Sequence, residues 1–333
     1  MKKLTTLLIA ALGFAALPAC GQTKHPSMIS LRVVDDLGTP VPEGEVKVST
    51  FSQWVPGDGF GRDEYDNFGT SLSAEGLASL TVPNIRGRLA YGVYPNSKYY
   101  PVTAQSYQFS QVRGGRWEPW NPEVTVVVPR KINPIPLHVR LVGNGPNLEM
   151  PTLGPVGFDL LVSDWVAPHG KGKRADFVFE RKTVIPTTDP TRAFESIFIL
   201  TFSNIGDGIQ SRLASTQKRL LELPREAPEA GYEPKLVKKV ARSAEGAAIE
   251  TGARDDQNYF FRVRTVINPD GKVISALFGK IHGNIECDPL NSEKGMLRFT
   301  YYLNPTPLDR NLEFDPKRNL LSDRLPGTNI SEP

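Results

Sequence analysis

Apolar and polar residues alternate with a period of two in many short runs of this chain. In the first half the runs are Ile29–Val34, Glu45–Phe51, Leu77–Val82, Leu89–Tyr94 and Val124–Val128. That period places one side chain inward and the next outward, as in a half-buried strand. Turn-forming clusters, Asp35–Pro42 and Ser73–Gly76, separate them. The second half continues with Val156–Leu161, Ala175–Arg181, Ser196–Phe202, Tyr259–Ile267, Lys272–Ile281 and Gly295–Leu303. Asn268-Pro269-Asp270-Gly271, set between two alternating runs, is a strong hairpin signal. One stretch departs from this pattern. In residues 209–223, Leu213, Leu220 and Leu221 are spaced for one face of a helix, which Pro224 ends.

These runs predict an all-β chain. An N-terminal antiparallel sandwich spans about 27–140, a linker 141–155, and a second antiparallel β domain 156–333. The linker is marked by Asn144-Gly145-Pro146 and by Met150–Pro155. Two segments are expected to stand outside the sheets. Gln53–Thr70 is rich in Gly and acidic residues and predicts a turn-rich surface loop. Residues 224–256 are charged and rich in Pro, Ala and Gly, and predict an exposed loop or partly disordered arm. The 29 prolines and 29 glycines suit a strand-and-turn protein.

The N-terminus is different. Lys2 and Lys3 precede an apolar run, Leu4 to Leu17, broken at Gly13 and too short to span a bilayer as a helix. A basic start, a short apolar run and a small residue at the cut site make a secretory signal. Leu17-Pro18-Ala19-Cys20 resembles the lipobox of bacterial lipoproteins. The resemblance implies a signal peptide over 1–20, lipidation of Cys20, and a membrane partner held through that lipid. It places the chain in the cell envelope, on the outer membrane or the periplasmic face. Without lipidation of Cys20 the protein would be secreted or periplasmic.

Loss of the leader also changes the charge. The 39 Lys and Arg face 36 Asp and Glu, and removal of Lys2 and Lys3 leaves a net near +1. That gives no electrostatic footprint for nucleic acid. The chain has two cysteines. With Cys20 carrying lipid, Cys287 has no internal partner. It is expected as a small buried hydrophobe, and burial alone must hold the folds together.

A strand, Asp35, Gly38, Pro40 and Val41, two further strands separated by Gly76, and an aromatic strand with Tyr99-Tyr100-Pro101-Val102 follow in order. This order resembles the carboxypeptidase regulatory-like domain. The resemblance implies a transthyretin-like seven-stranded sandwich with an accessory role and no catalytic residues. The second half resembles a group of lipoproteins and secreted proteins from Verrucomicrobia-like bacteria. It does so through Gly157–Leu160, Ser163–Trp165, Gly170–Lys173, Thr201–Asn204, Gly206–Ile209, Asp256–Arg264 and Tyr301–Thr306. That likeness brings no activity with it.

Candidate chemistry is sparse. Trp54, Trp117 and Trp120 could form an aromatic platform for sugars, or could cover a sandwich end. Asp58, Asp63, Glu64 and Asp66 could offer oxygens to calcium, though not at EF-hand spacing. His25, His138, His169 and His282 are scattered without metal-ligand spacing. Asp159 and Asp164 could be the paired carboxylates of a glycosidase. Lys171, Lys173 and Arg174 form a small basic patch that reads as a solvated loop. No nucleophile elbow, phosphate loop or dinucleotide fingerprint is present. The sequence therefore predicts no catalytic residues, no metal and no cofactor. The leading expectation is a non-enzymatic envelope lipoprotein that binds or scaffolds, with a polysaccharide or an envelope protein as partner. The alternatives are a glycan hydrolase with an unreadable site, and an envelope assembly protein pairing through sheet edges.

Overall fold

The computed structural model describes residues 24–56, 61–143, 149–184, 193–213, 221, 223–243, 248–251, 257–288, 295–321 and 325–332. These residues contain no helix and form two compact units. The first runs to Lys131 and the second from Ile132, with Leu221 grouped with the first. Cys20, Asp58 and residues 144–148 of the expected linker lie outside the described residues.

Nine strands build the first unit: β1 His25–Asp35, β2 Gly44–Val55, β3 Arg62–Ser71, β4 Leu77–Ile85, β5 Arg88–Pro95, β6 Val102–Gln108, β7 Gln111–Arg113, β8 Arg116–Glu118 and β9 Glu123–Val128. Sheets ordered β4-β1-β9 and β3-β2-β5-β6 face one another, and β7 and β8 form a separate hairpin. The alternation seen in the sequence decides which side chains meet between the sheets. Ile29, Leu31 and Val33 of β1 and Val126 and Val128 of β9 share one core with Val46 and Val48 of β2 and Leu89 and Val93 of β5. One pairing departs from the antiparallel expectation, since β1 and β9 run parallel, Ser30 opposite Glu123 through Asp35 opposite Val128. The turn after β1 closes as its residues dictate. Asp35 Oδ1 accepts from the backbone N–H of Leu37 at 2.8 Å and of Thr39 at 2.9 Å. Gly76 holds a φ of +71°, and a Cβ there would stand 2.4 Å from the Val33 carbonyl oxygen.

The second unit contains β10 Ile135–Val142, β11 Glu149–Met150, β12 Val156–Asp159, β13 Asp164–Trp165, β14 Phe177–Val184, β15 Phe194–Thr201, β16 Gly208–Leu213, β17 Lys235–Arg242, β18 Ala248–Thr251, β19 Gln257–Ile267, β20 Val273–Cys287, β21 Gly295–Leu303 and β22 Phe314–Asn319. A six-stranded sheet runs β13-β12-β14-β15-β17-β18. A seven-stranded sheet runs β16-β19-β20-β21-β10-β22, with β11 also on β21. β10 and β22 pair in parallel. An aromatic core fills the space between the two sheets. Phe177 lies at its centre, fully buried, with ring centroids 5.0 Å from Phe261, 5.6 Å from Phe202, 5.8 Å from Phe179 and 6.2 Å from Phe299. The seven-stranded sheet is buried on its other face too. There Leu223, Ala227 and Leu312 cover Phe260 and Phe278, and Phe314 packs on Tyr302.

Several expectations change. The helix over 209–223 is absent where it is described: Gly208–Leu213 is strand β16, paired to β19 from Gly208 opposite Arg262 to Leu213 opposite Gln257. Residues 214–220 lie outside the described residues. The surface loop over 53–70 is largely the β2–β3 ladder, which pairs Glu45 with Ser71 and continues to Val55 opposite Arg62. The exposed arm over 224–256 contributes β17 and β18, with β17 laddered along its whole length to β15. Strand Ile135–Val142 straddles the expected end of the first domain and pairs in the second unit.

Phe177→Ala removes the ring at the centre of this cluster. It is expected to lower the unfolding free energy by about 3–5 kcal/mol in urea titration. A loss below ~1 kcal/mol would show that the core does not depend on this ring.

Candidate functional site

The structure separates the three tryptophans. Trp117 lies on β8, and its outward neighbours Arg116 and Glu118 leave it pointing into the core of the first unit. It is 7% exposed, its Nε1 donates to the Ile85 carbonyl at 2.9 Å, and its ring meets His25 edge-on at 6.4 Å. Trp117 therefore presents no face to a ligand, and the three-ring platform is corrected on this point. Trp54 stands near the free end of the β2–β3 hairpin and is 58% exposed. Trp120 is half-buried just past β8, with the Arg116 guanidinium 4.8 Å over its ring.

Around Trp120 the chain builds a small polar surface. The β7–β8 hairpin turns at Gly114 and Gly115, both with positive φ. Gln111, Arg113, Gly114, Arg116 and Glu118 line a shallow concavity there. Glu118 Oε1 accepts from Arg116 Nε at 2.9 Å and its Oε2 from the Trp120 N–H at 2.6 Å. The Arg116 bond first, and the Trp120 N–H next, hold its carboxyl below the ordinary range. Glu118 thus ties together the Arg116 side chain and the Trp120 backbone.

Of the acidic residues named for calcium, Asp58 lies outside the described residues and Glu64 is bonded within the hairpin. Asp63, Glu64 and Asp66 lie on β3, and Glu64 accepts from Gln53 at 2.9 Å and Arg62 at 3.1 Å. No group of three or more His, Cys, Asp or Glu among the described residues is placed to hold a metal ion. His25, His138 and His282 lie on β1, β10 and β20, and His169 follows β13.

In the second unit the candidate glycosidase pair is tied into the fold. Asp159 is buried, and accepts from the N–H groups of Leu161, Lys173 and Arg174 and from Arg264 Nη2 at 2.9 Å. Burial pushes its carboxyl up, but these backbone bonds and the Arg264 charge outweigh it and leave it low. Asp164 takes the N–H groups of Trp165 at 2.8 Å and Lys171 at 2.9 Å. The basic patch of Lys171, Lys173 and Arg174 is thus the backbone cap of these two carboxylates. Arg264 also grips buried Asp176 through two bonds, at 2.7 and 2.8 Å. It sits at a positive φ, in a register shift of β19 that turns its side chain toward the aspartates. Neither Arg264 nor Asp176 stood out in the sequence, because 88 residues separate them.

Two buried lysines were also missed. Lys280 on β20 is 1% exposed, with its Nζ 4.7 Å over the Tyr302 ring. Burial lowers it from 10.5 to about 7, against the opposite pull of Glu313. Lys238 on β17 is 5% exposed and donates to the Ile285 carbonyl at 2.8 Å and to Asn284 Oδ1. No alternation signalled either one, since β17 buries a single side chain and β20 is buried on both faces around Lys280. Cys287 is partly buried and packs against the aromatic core. Burial pushes its thiol up to about 11, with Arg181 pulling the other way.

Between pH 7 and 10.5 the unfolded chain binds a proton at Lys280 that the folded chain does not, so stability rises with pH across this window. Thermal unfolding of the native chain is therefore expected to shift upward from pH 7 to pH 9 relative to Lys280→Met, titrated in parallel. Superimposable pH profiles would remove Lys280 as the cause.

Comparison with known proteins adds a distant structural likeness. No family model matches the chain and no curated protein matches it. A crystal structure of a mutant of the shaft pilin SpaA from Lactobacillus rhamnosus GG is similar at 9% identity, covering 77% of this chain and 93% of the pilin chain, with a TM-score of 0.20.

Proposed function

We propose that this chain is a non-enzymatic cell-envelope lipoprotein, tethered through Cys20, whose first unit binds polysaccharide on the β7–β8 hairpin. The observation that carries the ligand surface is the Arg116–Trp120 stack, fixed by Glu118 beside the concavity that Arg113 also lines. An aromatic ring packs on the C–H face of a sugar, while guanidinium groups and a fixed carboxylate bond its hydroxyls or acidic substituents. Trp54, exposed on its hairpin, is a second place for a sugar ring. The seven strands of the two facing sheets, three in one and four in the other, support reading the first unit as a carboxypeptidase regulatory-like domain. The second unit serves as the scaffold. Its buried and capped aspartates are spent on backbone N–H groups and Arg264, which supports structure rather than catalysis.

A glycan array probed with the purified chain is expected to show binding that Trp120→Ala weakens roughly tenfold, the scale of one aromatic contact of about 1–1.5 kcal/mol. Arg116→Ala should weaken it as well. Absence of binding to every glycan would sink the sugar reading.

The tether has its own test. Cys20→Ser is expected to move the protein from the membrane fraction to the soluble envelope fraction, and mass spectrometry of the native N-terminus should find acyl chains on Cys20. An unacylated mature terminus would leave a released protein.

A further inference from the structure

Lys238 is the one fully buried position of β17, whose other residues are half-buried or exposed. A lysine placed there needs a reason, because an inward ammonium loses its hydration. Its Nζ is held in one place by the Ile285 carbonyl at 2.8 Å and by the Tyr259 ring, whose centroid lies 5.3 Å away. In that place it meets the side-chain amide of Asn284, donating to Oδ1. Asn284 is aimed by the backbone. It lies in the stretch of β20 between His282 and Glu286 where the register with β21 shifts. Gly283 beside it takes a φ of +80°, and its N–H is anchored on Asn258 Oδ1 at 2.7 Å. A bulge of this kind redirects a side chain. A third group converges on the same atom, the hydroxyl of fully buried Tyr259, which donates to Asn284 Oδ1 at 3.2 Å.

An amine, an amide and a proton donor on the amide oxygen are the parts of an acyl transfer. Desolvation favours the neutral, nucleophilic amine. A donor fixed on the carbonyl oxygen stabilises the charge that develops there. Holding the two reactants in contact supplies the proximity that the uncatalysed reaction lacks.

We propose that Lys238 and Asn284 join in an intramolecular amide bond. Nζ attacks Cγ of Asn284, and Tyr259 bonds the oxyanion. The Cγ–Nδ2 bond then breaks, and a proton passing from Nζ to Nδ2 lets ammonia leave. The balance closes without a co-reactant: lysine ammonium and carboxamide give a secondary amide and an ammonium ion. The bond would run between β17 of the six-stranded sheet and β20 of the seven-stranded sheet. It would thus cross-link the two layers of the second unit in a chain whose two cysteines leave Cys287 free.

The test is the mass of the full native chain and its peptide map. The folded protein is expected to weigh one ammonia less than its residues require. Proteolysis should release a branched peptide joining Lys238 to Asn284, with no cleavage by trypsin after residue 238. Lys238→Arg and Asn284→Ala should each restore the missing mass, and Tyr259→Phe should leave an unlinked fraction. Linear peptides carrying unmodified Lys238 and Asn284 in the native protein would overturn the proposal, as would an ammonia loss mapped elsewhere. The native map decides the matter even if a variant does not fold.

Discussion

The second unit depends on the burial of aromatic rings between its sheets. Phe158, Phe177, Phe179, Phe198, Phe261 and Phe299 come from five different strands, and no two of those strands can separate without exposing rings. Each such side chain contributes about 1.5–3 kcal/mol on burial. Edge-to-face contacts such as Phe177 on Phe261, at 5.0 Å and 76°, add direction to that burial. The rings set how far apart the sheets stand.

The charged residues inside this unit solve a problem that the rings create. Strand β12 ends against the aromatic core, and the segment beyond it must reverse without leaving its N–H groups dry. Asp159 and Asp176 take those donors, from Leu160 to Arg174, and Arg264 bonds both carboxylates from the opposite sheet. Buried ions kept in this way are costly to break, because each partner would be left as an unpaired charge. Asp207 completes the arrangement by accepting the backbone N–H groups of Arg264 and Thr265, which holds the shifted register that aims the guanidinium.

The strands that alternate cleanly were legible in the sequence because one face of each is buried. Ile29–Val34 and the hairpin across Asn268–Lys272 are examples, the latter closed by Lys272 N–H on Asn268 Oδ1 at 2.8 Å. Strands were missed where local chemistry and tertiary pairing disagree. Arg62–Ser71 is an edge strand whose charges face solvent, so it reads as a loop; those same charges discourage pairing with another chain. Lys235–Arg242 has one buried side chain and takes its conformation from β15. Residues 209–213 belong to a stretch with leucines at helical spacing, but hydrogen bonding to β19 decides their state, and spacing cannot report a partner 44 or more residues away. The polar groups that matter were illegible for a related reason. Trp117 sits among Pro, Glu and Arg and looks exposed, while Lys238 and Asn284 are ordinary surface residue types until the fold turns them inward.

Strand β1 has a mechanical consequence. It is the middle strand of its sheet, hydrogen-bonded to β4 on one side and to β9 on the other, and it is the first strand of the described chain. A pull on the polypeptide ahead of His25 therefore runs along β1 and loads both ladders in shear, so many bonds must fail together instead of opening one by one. A domain held from its N-terminal side is then held by the strand least easily drawn out of it.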